Sequence, residues 1–495
     1  MFDKYVLNPL LEAVDKFAQN NAFCINEKFY TYKEFATSIS KIRRAIQKQE
    51  ANIENIGLVV NDDIETYASI FAIWLEGYAY VPIHPQQPHE RSVEIISQAD
   101  VHLLIDSTGN KEYNKIALIN SSSLKDEEIN LKYKQVPDDT LSYILFTSGS
   151  TGKPKGVQIT RGNVGSFMKS FWDVGFIVDQ NDKCLQCFDL TFDVSVQSFL
   201  VPLTRGACTF TIPHDRIKYS YVYGLLEDHQ ITFGAMAPSM IRYLRPYFDE
   251  INIPSMRYNI LTAEASPLSL IDEWAKCIPH AEIYDFYGPT EATIYCTYNQ
   301  YNRHGVNKQL NGMLSIGRPM NGLSAIIVDE NKKLLGENQR GELCVSGDQI
   351  TPGYWQNEEK NAECFFELKE GNAIKRYYKT GDSCYFDNDG DIMLAGRLDY
   401  QVKIQGYRVE LGEIEYHVRE FLSGQNAVAI AYPAQNENME IALFVEGEFS
   451  DNERLIDYLI RKIPSYMIPS KIIVKDIFPL NANGKTDRIS LKTFL

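Results

Sequence analysis

Hydrophobic and polar positions change period many times along this chain. Short runs rich in β-branched and aromatic residues predict strands: NIGLVV (55–60), VHLLID (101–106), SYILFT (142–147), ACTFTI (207–212) and EIYDFY (282–287). Between such runs apolar positions recur with a helical period, which predicts helices over Ile64–Leu75, Ser220–Asp228 and Leu268–Cys277. Strands alternating with helices predict a layered α/β architecture. The opening MFDKYVLNPLLEAVDKFAQNN reads as an amphipathic helix. Near Gly390 the texture shifts to tight turns, DNDGD and then GRLDY, and the tail beyond suits a small domain. In that tail GEIEYHVREFL places Ile414, Val418, Phe421 and Leu422 on one helical stripe, and AVAIAY and EIALFVE read as paired strands. Ser450 and Glu453 stand in capping-box register ahead of a further apolar run.

At 495 residues the chain exceeds one ordinary core, so two or more domains are expected. With 49 basic against 65 acidic side chains the net charge is −16, which argues against a broad nucleic-acid-binding surface. Nine cysteines without framework spacing suggest a reducing compartment. Cys184 and Cys187 form a CxxC, but no second Cys or His pair stands at ligand spacing. The pair also leads into FDLTFDVSVQSFL, which reads as a strand, so buried thiols are expected there. The N-terminus lacks the basic start and apolar block of a signal peptide. The most apolar stretch, SIFAIWLEGYAYVPI, is broken by Glu76 and Gly77 and is too short for a membrane span, so a cytoplasmic location is expected.

The chemistry concentrates in YILFTSGSTGKPKGVQIT (143–160). A strand delivers the chain into a loop where Gly149, Gly152 and Gly156 uncover backbone N–H groups. Such amides form an anion-binding concavity. Hydroxyls of Thr147, Ser148, Ser150 and Thr151 add donors, and Lys153 and Lys155 add positive charge, a combination suited to a polyphosphate. A Walker A loop does not fit: Gly149 and Gly152 are too close, and proline follows Lys153.

Further motifs follow in order: YTYKEFA (30–36), LEGYAYVPIHP (75–85), FDVS (192–195), YGPTEAT (287–293), GELCVSGDQITPGYW (341–355), YKTGD (378–382), GRLDYQVKIQGYRVELGEIE (396–415), IPSYMIP (463–469) and NANGKTDR (481–488). With the glycine-rich loop, these resemble the adenylate-forming superfamily of acyl-CoA ligases, luciferases and the adenylation domains of nonribosomal peptide synthesis. The resemblance implies a large N-terminal domain, residues 1–397, of layered α/β subdomains plus a β-barrel-like part. It implies a small mobile α+β domain, residues 398–495, hinged near Asp399. It also implies two half-reactions: a carboxylate and ATP give an acyl adenylate and pyrophosphate, then the acyl group passes to a thiol.

By the same resemblance the 147–155 loop holds the β- and γ-phosphates, Tyr287 stacks on adenine, Thr290 contacts the α-phosphate and Glu291 ligates Mg²⁺. Asp382 receives the ribose hydroxyls, and Arg397 approaches the ribose or phosphate. Lys485 lies between the substrate carboxylate and the α-phosphate, where an ammonium screens two anions from one another. Rotation about Asp399 exchanges Lys485 for the 403–406 segment, KIQG, in the thiol step. Asp193 matches the Asp that pairs with a substrate ammonium in relatives acting on amino acids. Val194, Gln197, Ala235, Ile260, Thr262, Phe286, Ile294 and Tyr295 take the other pocket positions, and the bulk of Phe286 and Tyr295 favours alanine, glycine or serine. Two residues depart from the family pattern: Asp285, in the nucleotide site, replaces the usual Asn, and Ala263 replaces the usual Gly.

The implied activity is that of a free-standing enzyme most like D-alanine–D-alanyl carrier protein ligases or a peptide-synthesis adenylation domain. It would use ATP and Mg²⁺ to load a small amino acid onto the phosphopantetheine thiol of a separate acyl or peptidyl carrier protein. An acyl-CoA ligase for an acid without an amino group is the closest rival, and a nucleotide-binding regulator without turnover is a third reading. An aminoacyl-tRNA synthetase is disfavoured, since neither HIGH nor KMSKS occurs.

Overall fold

The computed structural model describes residues 1–49, 53–109, 113, 116–149, 152–214, 216–371, 373–480 and 486–495. A six-stranded sheet has the order 117–120, 103–106, β1 (Asn55–Val59), β2 (Ala79–Ile83), 141–147 and 155–160. β1 and β2 pair in parallel, so a crossover must join them. That crossover is α1 (Ile64–Leu75), which matches the sequence-predicted span. It starts there because the Asp63 carboxylate accepts from Thr66 N at 2.8 Å. Every residue of α1 except Glu65 is buried.

The nine-stranded sheet contains β3 (Lys183–Gln186), β4 (Cys208–Thr211), β5 (Phe233–Met236), β6 (Tyr258–Leu261), β7 (Glu282–Tyr287) and β8 (Thr297–Gln300). Its central order is β8-β7-β6-β5-β3-β4. All of these neighbours are parallel except β7 and β8. The chain moves from β3 to one side and then returns to the other, so a topological switch point falls at the carboxyl end of β3. Parallel sheets bind ligands at such points.

The run after β3 forms a helix, α2 (Asp193–Leu203), rather than the expected strand. Each of its residues is buried, and a run apolar on every side carries no period that separates strand from helix. Cys184 and Cys187 are both buried free thiols, and burial pushes the Cys187 thiol up to about 12.

A five-stranded antiparallel sheet brings β9 (Ala373–Phe386) beside β10 (Ile392–Arg397), with Asp382 opposite Arg397. Helix α3 (Leu268–Cys277) has its expected bounds, whereas the helix expected at Ser220 begins at Lys218.

The chain divides into two compact units. One holds Met1–Pro85, Ile96–Leu145 and Gly156–Leu398; the other holds Gln86–Ile95, Phe146–Lys155 and Asp399–Leu495. The smaller unit therefore includes the glycine-rich loop, which the sequence reading grouped with the larger domain. Its three-stranded sheet joins 427–433, 439–446 and 471–475, and its helix α4 (Leu411–Phe421) buries Ile414 and Val418. A hairpin of 401–404 with 407–410 turns through Gln405 and Gly406 at φ +51° and +84°. Positive φ at both central residues matches the strands' own twist. The later helix, Asn452–Ile460, is capped by Asp451 accepting from Arg454 N, one residue after the expected Ser450, and with Arg454 at the third position the expected box with Glu453 does not form.

Ala263, where the family pattern has Gly, sits at φ +69°. A left-handed conformation costs an L-residue roughly 1–2 kcal/mol, partly offset because Gly loses more backbone entropy. Ala263→Gly is therefore expected to raise unfolding free energy by about 0.5–1 kcal/mol, read from the urea midpoint.

Candidate functional site

The residues assigned to the substrate pocket gather at the carboxyl ends of β5, β6 and β7 and on α2. Asp193 opens α2 and Gln197 follows one helical turn later, so both side chains share a face. Asp193 is buried, at 7% exposure. Burial pushes the phenols of Tyr80 and Tyr295 above the ordinary range, and the Asp193 charge adds to both. Tyr143 is raised in the same way by burial, then by Tyr80 and Asp193.

Ala235 and Ile260 are cross-strand partners, and Ile260 in turn faces Tyr284. The Tyr295 ring lies 5.0 Å from that of Phe286, and its phenol donates to Gln197 Oε1 at 3.4 Å. Thr262 also interacts with that phenol. Val194, Ala235, Ile260, Phe286, Ile294 and Tyr295 all belong to one buried apolar cluster. Gln197 Nε2 has no hydrogen-bond partner among the described residues.

Thr293 and Ile294 are held at φ +55° and +75°, costly for β-branched residues and a kind of strain that concentrates at functional sites. Gln349 supports this segment: its Nε2 donates to Tyr295 O at 2.7 Å, and its backbone carbonyl accepts from Thr293 Oγ1 at 2.5 Å.

On the nucleotide side, Thr290 and Glu291 share a short helical turn. Glu291 is 1% exposed, and Tyr354 donates its phenol hydrogen to Glu291 Oε1 at 2.6 Å. Asp382 is 6% exposed and gripped on both oxygens: Tyr287 Oη donates at 2.5 Å and Arg397 Nη1 at 3.0 Å. The β9–β10 register places Arg397 there, and its Nη1 also donates to Thr380 O at 2.9 Å. Burial, then the Asp382 charge, raises the Tyr287 phenol. Asp285 is 3% exposed and accepts from Ser266 Oγ at 2.5 Å; burial pushes its carboxyl up to about 7, with the serine bond opposing.

In the smaller unit, carboxylates already engage the glycine-rich loop. Gly149 N donates to Glu413 Oε2 at 3.0 Å, and Lys155 Nζ meets Glu410 Oε1 at 3.0 Å. Ser148 Oγ donates to Arg408 O and accepts from Glu410 N. Thr147 Oγ1 lies 3.5 Å from Lys155 O. Glu413 is fully buried and also takes Arg91 Nη1 at 2.5 Å. Gly152 has φ +82°, and a Cβ there would meet the Tyr416 ring at 2.3 Å. Lys153 lies on the same loop. Asp399 starts the long segment of this unit, and its carboxylate accepts from Gln401 N at 3.1 Å. Lys485, Ser150 and Thr151 lie outside the described residues.

Sequence reasoning assigned no role to Tyr354, Ser266, Gln349, Glu410 or Glu413. Tyr354 and Gln349 stood inside the GELCVSGDQITPGYW motif, Glu410 and Glu413 in ELGEIE, and Ser266 in TAEASP (262–267), the stretch that carries Ala263.

The chain belongs to the AMP-binding enzyme family, whose model matches residues 10–355. It is 30% identical to the D-alanine–D-alanyl carrier protein ligase of Bacillus licheniformis, covering 98% of this chain and 99% of that protein. It is also similar to far longer peptide synthetases, of which it spans less than half. With tyrocidine synthase 1 of Brevibacillus parabrevis the identity is 29% over 97% of this chain and 44% of that synthase. A linear gramicidin synthase of the same organism is 31% identical over 97% of this chain, which spans 6% of it. The fold is that of the Vibrio cholerae adenylation domain AlmE, solved with glycyl-adenosine-5′-phosphate, at TM-score 0.87 and 23% identity, covering 99% of this chain and 97% of that one.

The Asp285 carboxyl yields a stability prediction. Its folded-state value, about 7, exceeds the ordinary 3.8, so the folded protein holds a proton that the unfolded chain releases between those values. Stability from this group is present at low pH and is lost as pH rises toward 7. Asp285→Asn keeps an acceptor for Ser266, and at pH 8 should raise unfolding free energy by roughly 2 kcal/mol over wild type. The difference should vanish near pH 4 in urea titrations at both values.

Proposed function

We propose that this protein adenylates a small amino acid with ATP and passes it to the phosphopantetheine thiol of a carrier protein. The observation that carries this reading is Asp193, a carboxylate buried at the opening turn of α2 beside the switch point of the nine-stranded sheet. A carboxylate held there is suited to pair with a substrate ammonium, and breaking such a buried pair costs of order 3–5 kcal/mol. The Phe286 and Tyr295 rings limit the side-chain space. Gln197 Nε2 is a donor that a hydroxyl would satisfy, so serine belongs beside alanine and glycine among the candidates. The carrier-protein step draws on the likeness to the Bacillus licheniformis ligase.

In this reading the family's ATP lies against Tyr287, Asp382 and Arg397, with Thr290 at the α-phosphate. The phenol on Asp382 yields one oxygen to the ribose, which a carboxylate accommodates because each oxygen has two lone pairs. Glu291, held by Tyr354, is the proposed Mg²⁺ ligand; a hard oxygen donor suits that ion. Gly149 N, which donates to a carboxylate, is suited to donate to a phosphate oxygen in the same way. Lys485 is assigned to the developing negative charge at the α-phosphorus, where positioned cations provide most of the rate.

The direct test is ATP–pyrophosphate exchange across D- and L-amino, fatty and aryl acids. Exchange is expected with a small amino acid. Exchange confined to fatty or aryl acids would replace this reading with an acyl-CoA ligase. Lys485→Ala should lower exchange by on the order of 10²–10³ while ATP binding persists; near-wild-type exchange would remove that role. The boundary between the units falls at Asp399, so Asp399→Pro, by fixing φ, should cut carrier loading at least about tenfold and leave exchange within about threefold. Equal losses in the two assays would count against a hinge.

A further inference from the structure

We infer that His84, Asp189 and His214 form a binding site for a zinc-like divalent transition metal ion. One ligand atom from each residue lies within 4.8 Å of the others. Small side-chain rotations bring that spacing to the roughly 3–4 Å between donors around one zinc ion. The two imidazole rings stand 5.3 Å apart, nearly edge to face. All three side chains are half-buried, which leaves a path for an ion to enter.

The surroundings suit a cation. His214 Nε2 lies 3.1 Å from Val60 O. A carbonyl only accepts, so Nε2 carries the proton and Nδ1 keeps the lone pair. A backbone carbonyl on the opposite ring nitrogen is the usual support of a metal-bound histidine. The Asp189 charge also reaches the buried Asp62, whose carboxylate accepts from Tyr67 Oη at 2.5 Å. Lys218 Nζ lies 3.1 Å from Asp189 Oδ1. A carboxylate has two oxygens, so Lys218 and a metal can share Asp189, with the lysine as a partial competitor. Two imidazoles and one carboxylate select zinc, cobalt or nickel over magnesium or calcium.

The topology gives such an ion work to do. His84 follows β2 and Val60 follows β1, in the six-stranded sheet. Asp189 follows β3 and His214 follows β4, in the nine-stranded sheet. An ion here would tie the carboxyl edges of the two sheets together. It would also brace the turn in which Phe192 N donates to Asp189 O at 2.8 Å, immediately before Asp193 opens α2. The site is separate from the magnesium position proposed at Glu291, and its test does not depend on turnover.

Chelator-treated full-length protein is titrated with cobalt(II) chloride alone, following visible d–d absorption, bound metal per chain and Tm. Wild type is expected to bind one cobalt per chain at this site, with new visible bands and a raised Tm. His84→Gln and His214→Gln should each weaken binding at least about 100-fold; the latter retains an amide that can donate to Val60 O. Lys218→Met, with all three ligands intact, should bind several-fold tighter. Absence of bands and of a Tm shift in wild type overturns the proposal. So does binding that survives both histidine variants, or binding abolished instead by Glu27→Gln in the separate Cys24, Glu27 and His229 group. Unchanged or weaker binding by Lys218→Met removes Asp189 from the ligand set.

Discussion

Burying a carboxylate is the constraint on which this site turns. An anion withdrawn from water must gain hydrogen bonds, meet a cation or take up a proton. Neighbouring positions of this chain use different answers. Asp382 is held by a phenol and a guanidinium, Glu291 accepts from Tyr354, and Asp285 keeps one serine hydroxyl while its carboxyl shifts toward protonation. Asp193, buried at the opening of α2, adds its charge to the burial that raises the phenols of Tyr80 and Tyr295.

The glycine-rich loop shows the same chemistry with the signs reversed. Its amide at Gly149 and its cation at Lys155 attract anions, and carboxylates of Glu413 and Glu410 meet them. Glu413 also joins Arg91 in a buried ion pair, so its removal would strand a guanidinium. Within the smaller unit the donors of this loop are thus engaged by carboxylates.

Much of this was legible along the sequence. The helices at Ile64–Leu75 and Leu268–Cys277 have the expected bounds because their apolar periods are clear and, for the first, Asp63 marks the start. The ordered motifs led to the family and to the positions of Asp193, Tyr287, Glu291 and Asp382. The α2 segment was misread because it is buried on all sides and shows no period. Partners were harder still: Tyr354 reaches Glu291 across 63 residues of chain, and Glu413 reaches Gly149 across 264. No local pattern reports such pairings. The Asp285 departure was visible as an Asp in place of the usual Asn, but its burial and the resulting shift toward the protonated form needed the fold.

The claim at the centre is that the buried carboxylate of Asp193 recognises a substrate ammonium. Calorimetric binding of alanyl-sulfamoyl-adenosine, compared with its propionyl counterpart lacking only the amine, measures that interaction without catalysis. Wild type should favour the amine by at least about 100-fold, and Asp193→Asn should bring the two ligands within about tenfold of each other. Equal affinity in wild type, or a preference that survives in Asp193→Asn, would contradict the account.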